Sequence, residues 1–76
     1  MLTGTLEVTV LESAAASIHG DLYHDLLVQT DVQRDRNEAS RVRVAGHVCT
    51  GGPPRAGERL RLALLMGQVT ELSRLP

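Results

Sequence analysis

Apolar and polar positions alternate along four stretches of the chain, and a period of two marks strands with one buried face. In GTLEVTVL, residues 4–11, Leu6, Val8 and Val10 share one face and Thr5, Glu7 and Thr9 the other. LYHDLLVQTDV, residues 22–32, sets Leu26, Val28, Thr30 and Val32 against Tyr23, Asp25, Leu27 and Gln29. RVRVAGHVC, residues 41–49, turns Val42, Val44, Gly46 and Val48 inward and Arg41, Arg43, Ala45 and His47 outward. ERLRLALLM, residues 58–66, repeats the device with Leu60, Leu62, Leu64 and Met66 inward and Arg59, Arg61, Ala63 and Leu65 outward. After Gly67, QVTEL at 68–72 reads as a further short strand or as the same strand bent at the glycine.

The intervening segments lack that alternation. ESAAASIHGD, residues 12–21, is dominated by small residues and reads as a loop or one short helical turn. Ile18, Leu22 and Leu26 recur at helical spacing, so a helix over 13–26 is the alternative, weakened by Gly20 in its middle. QRDRNEAS at 33–40 is polar throughout and predicts a loop, while the glycines and prolines of TGGPPRAG at 50–57 predict a turn region. Gly46 inside a strand signals a bulge, a bend or a close backbone approach. The expected architecture is therefore all-β, one domain over residues 1–76. A small five-stranded OB-like barrel fits best, because closure removes exposed strand edges.

Composition changes this picture in two ways. A chain of 76 residues buries only about 60% of its unfolded surface, and here Tyr23 is the one aromatic. The core must be built from Leu, Val, Ile, Ala and Met, so stabilisation by self-association into a homo-oligomer is expected. Leu11, Leu27 and Leu65 fall on outward faces and LALLM is apolar on both sides, as in a strand covered by a second layer. The formal net charge is −1, which gives no global attraction to nucleic acid or membrane. Every basic residue is Arg, whose planar fork suits phosphate and carboxylate. Cys49 stands alone, so no disulfide framework is expected. The start MLTGTLEVTV shows no basic leader, and no apolar run reaches membrane-span length, so a cytoplasmic location is expected.

RVRVAGHV, followed by a loop and AGERLRLALLMGQVTEL, resembles the second half of bacterial single-stranded DNA-binding proteins and of primosomal replication protein N. Val42, Val44, Gly46 and Val48 match a strand of the type V-x-V-x-G-x-[LV], and Gly57 matches the glycine ahead of the next strand. The resemblance covers the C-terminal half and implies an OB-fold that binds single-stranded DNA. The aromatics that those families place on strand faces for base stacking are missing from the matched region.

The candidate site follows from strand phase. Residues 41–49 and 58–66 are consecutive strands, and pairing as an antiparallel hairpin is the default. Arg41, Arg43, Arg59 and Arg61 then form one cationic face, extended by Arg55 in the connecting loop, with Tyr23 as the only stacking ring and His47 beside the arginines. Two readings compete. One is phosphate binding to single-stranded DNA. The other is neutralisation by Glu7, Glu58 and Asp25 on neighbouring strands, which leaves a protein–protein adaptor with no nucleic-acid role. No metal site is expected: His47 and Cys49 share a strand face, but with His19 and His24 they show no tight Cys/His pair. No nucleophile motif or phosphate loop appears, so neither an enzyme nor a cofactor is expected.

Overall fold

The computed structural model describes residues 3–76 and is built from five antiparallel strands. They are β1 (Gly4–Ile18), β2 (Asp21–Gln29), β3 (Ser40–Ala45), β4 (Arg59–Leu65) and β5 (Gln68–Arg74), with a short helix α1 (Asp31–Asp35) and a 3₁₀ turn at Gly46–Val48. The sheet order is β3-β2-β1-β4-β5. The all-β reading and the number of strands hold.

β1 organises the sheet. Its first half pairs with β4, from Gly4 opposite Leu64 to Thr9 opposite Arg59. Its second half pairs with β2, ending with Ile18 opposite Asp21. The register shifts between Val10 and Glu12, so Leu11 forms a bulge, the device that bends a strand and increases its twist. The coiled sheet brings its two edge strands near one another. It does not close, because no ladder joins β3 to β5. The five-stranded sheet expected from the sequence is thus present, coiled but without the β3–β5 ladder that would close it into a barrel.

The inward residues are the ones the alternation picks out. Val8, Val10, Leu26, Val28, Val44, Leu60 and Leu62 are each at most 3% exposed and form one core with Cys49 and Leu72. Pro54, from the long connection between β3 and β4, is also fully buried.

Four sequence readings require correction. Most of residues 12–21 is strand, with neither a helix nor a long loop. β1 runs through them to Ile18, and a two-residue turn at His19 (φ 51°) and Gly20 (φ 84°) leads into β2. Both φ values are positive, as the favoured two-residue hairpin loop demands. The helix lies instead at Asp31–Asp35, taking in Val32, expected on a strand, and the first three residues of the 33–40 loop, whose residues 36–39 remain irregular. Thr30 caps it: its hydroxyl accepts from Gln33 N, and the Gln33 side chain accepts from Thr30 N. Third, β3 stops at Ala45, so His47 and Cys49 do not lie on a strand. Gly46 turns the chain against Leu22, and a Cβ there would stand 3.0 Å from the Leu22 carbonyl oxygen. Last, Met66 is not inward. It forms the β4–β5 turn with Gly67 at φ 52° and is 63% exposed.

Candidate functional site

The expected four-arginine face is not formed. β3 pairs only with β2, while β4 pairs with β1 and β5, so the two arginine-bearing strands are separated by β2 and β1. The connection between them is too long and too strongly anchored for a tight hairpin. Pro54 is buried in it, and its last residues run beside β1, where Gly57 N donates to the Val10 carbonyl.

The arginines therefore fall into separate groups. Arg59 and Arg61 lie on β4. Arg61 donates to Glu7 across the β1–β4 ladder at 2.9 Å, and Arg59 approaches Asp31 at 3.9 Å. On β3, Arg43 stands opposite Asp25 and binds it with both arms of its fork, Nε to Oδ1 at 2.7 Å and Nη2 to Oδ2 at 3.1 Å. This bond holds the Asp25 carboxyl below, and the Arg43 guanidinium above, their ordinary ranges. Arg41 faces Leu27 in the register and has no carboxylate within ion-pair distance among the described residues.

Alternation along β2 and β3 brings a smaller set together. His24, Leu26, Val28 and Val44 point inward, so Tyr23 and Asp25 share the outer face with Arg41, Arg43 and Ala45. Tyr23, Arg41 and Arg43 line an open groove of about 500 Å³ whose other wall is Gly67, Gln68 and Val69 at the start of β5. His47 lines an adjoining depression that shares Tyr23 and Ala45. Of the sequence-predicted residues, Tyr23, Arg41, Arg43 and His47 are thus neighbours, whereas Arg55, Arg59 and Arg61 lie outside this groove. Comparison with protein families, characterised proteins and solved structures finds no match. The groove's own geometry carries the functional reading.

Arg74 is the charged residue that strand phase did not single out. Its guanidinium donates to Glu58 Oε2 at 3.0 Å and to the carbonyl oxygens of Thr50 and Gly52, pinning the connection between β3 and β4. Glu58 also accepts from the backbone N–H of Arg55 at 2.7 Å. That bond first, and Arg74 second, hold the Glu58 carboxyl below its usual range. A depressed folded-state pKa stabilises the fold above the ordinary value of 4.5 and is lost as pH falls through the lowered value. The thermal midpoint is accordingly expected to fall on acidification below that point. Glu58→Gln should lower the midpoint at neutral pH and flatten its acid dependence; an unchanged profile by circular dichroism would contradict the clamp.

Burial pushes the Cys49 thiol up, so it stays protonated and unreactive at neutral pH. Among the described residues no three His, Cys, Asp or Glu side chains converge to hold a metal, and no helix is long and apolar enough to cross a membrane.

Proposed function

We propose that the protein is a non-enzymatic module that binds single-stranded nucleic acid across the outer face of β2 and β3. The observation that carries this reading is the groove in which the only aromatic ring, Tyr23, lies with Arg41 and Arg43. A ring offers a sequence-tolerant stacking surface, worth about 1–3 kcal/mol per base, and arginines track the phosphates. An OB-like sheet uses this same ribbon of strands for oligonucleotides. With two arginines in reach, the salt slope per chain is about −1.4, at roughly −0.7 per phosphate contact. Arg43 already serves Asp25, so Arg41 is the stronger phosphate donor and single-chain affinity is low.

Fluorescence anisotropy with labelled oligonucleotides at about 50 mM salt tests the reading. Weak binding is expected, lost in Arg41→Ala with Tyr23→Ala and retained in Arg59→Ala with Arg61→Ala. No binding at that salt would overturn it.

The rival, a protein–protein adaptor, draws support from the ion pairs Arg43–Asp25, Arg61–Glu7 and Arg59–Asp31, which give three of the four strand arginines of the predicted cationic face a carboxylate partner. Equal loss of oligonucleotide binding in both double variants would favour that rival, since it would mean diffuse charge attraction with no groove.

A further inference from the structure

β1 has 15 residues, yet β4 covers only Gly4–Thr9 of it. The backbone of the β3–β4 connection extends that cover by one residue, through Val10 N to Glu58 O and Gly57 N to Val10 O. Beyond Val10, β1 has β2 on one side. On the other it makes no main-chain hydrogen bond among the described residues.

The hairpin turn fixes which groups are free. In a two-residue loop the flanking residues, here Ile18 and Asp21, form a hydrogen-bonded pair, and such pairs alternate along the ladder. Ala16 with Tyr23 and Ala14 with Asp25 are the next two in the register. The N–H and C=O groups of Ser13, Ala15 and Ser17 therefore point away from β2, toward the open edge.

This edge is also the unguarded one. β3 carries Arg41 and Arg43, and β5 carries Glu71 and Arg74, charges of the kind that discourage pairing with other chains. Residues 13–17 carry no charge and no proline, and their side chains are exposed or half-buried. They read Ser-Ala-Ala-Ala-Ser, the same in both directions. An antiparallel strand related by a two-fold axis presents this run in reverse, so a second copy is the complementary partner.

We infer that residues 13–17 of β1 pair with the same residues of a second copy, antiparallel, about a two-fold axis at Ala15. Ala15 meets Ala15 of the partner subunit, and Ser13 meets Ser17 of the partner subunit. Both are hydrogen-bonded pairs, and the serine hydroxyls lie directly across the ladder, a favourable cross-strand match. No like charges face each other. The interface is isologous, as a closed dimer requires. The two sheets become one, with the Tyr23–Arg41–Arg43 faces of both copies on the same side. If those faces bind nucleic acid, the dimer supplies the second attachment that a weak single site needs. The pairing itself does not depend on that reading.

Sedimentation of the full chain at tens of micromolar, without nucleic acid, tests the dimer. Ala15→Lys places two like charges opposite each other. Ala15→Pro removes an N–H that faces the open edge, so the β1–β2 ladder is kept. Each should raise the dimer dissociation constant at least about tenfold, with the β-sheet circular dichroism retained. Leu65→Asp, on an exposed position of β4, should leave the dimer intact. A nitroxide on Ala15→Cys reads the same contact independently, because the paired Cα atoms lie about 5.5 Å apart and the spectrum should broaden. A monomeric wild type, a sharp spectrum, or Ala15→Lys and Ala15→Pro as dimeric as the wild type would overturn the inference.

Discussion

Leu60→Ala is expected to destabilise the fold by about 2–5 kcal/mol, the range for a leucine removed from a closed core. Leu60 has no exposed surface and packs within the cluster that contains Val8, Val10 and Leu26. It pairs with Val8 on one side and Arg74 on the other, so neighbouring strands hold the void open. Total stability for a chain of this size is roughly 4–11 kcal/mol at 0.05–0.15 kcal/mol per residue, and the core cluster holds no aromatic to compensate. Leu65→Ala supplies the contrast. It is the same substitution on the same strand, but Leu65 is 56% exposed on the opposite face, and the change should stay within about 0.5 kcal/mol. Urea denaturation of both variants measures the difference directly. Similar costs would mean that the phase of β4 is wrong, since a one-residue slip exchanges the two faces.

The strand phases were legible because alternation is a local signal. Leu60, Leu62 and Leu64 on β4, and Val42 and Val44 on β3, all point inward as their spacing predicts. Which strands become neighbours was not local, and there the sequence reading failed. Placing β3 beside β4 rested on their adjacency in the chain. The connection is instead gripped by Arg74 through Thr50 and Gly52, contacts between residues more than 20 positions apart that no pattern reveals. The second half of β1 was hidden for a different reason. Ser13 to Ser17 carry side chains too small to show an inside and an outside, so the period vanishes while the strand continues. The helix at Asp31–Asp35 did have a signal. Thr30 and Gln33 form the spacing of a capping box, obscured by Val32, which looked like the next member of the β2 face. At the groove, the nearness of Tyr23 to Arg41 and Arg43 follows from the β2–β3 ladder, whereas the contribution of Gln68 and Val69 depends on the coiling of the whole sheet.

His24→Leu is expected to stabilise the protein by about 1 kcal/mol, opposite in sign to most core substitutions. His24 is 5% exposed and lies on the inward face of β2, between Ala15 on β1 and Val44 on β3. Its Nδ1 is buried and has no hydrogen-bond partner among the described residues. A buried polar atom left unsatisfied costs about 1–3 kcal/mol, and an apolar group of similar size removes that cost. Leucine keeps most of the volume and continues the apolar phase of Leu26 and Val28. At about 4–8 °C per kcal/mol for a domain of this length, the thermal midpoint should rise by several degrees at neutral pH. His24→Ala separates polarity from packing. It also removes the orphaned nitrogen but leaves a void under β3, so it should fall below the leucine variant by about the cost of the missing methylenes. A leucine variant no more stable than the wild type would show that the nitrogen is satisfied by solvent. In that case the inner face of the β1–β2 hairpin is wetter at His24 than the apolar core formed by Leu26 and Val44.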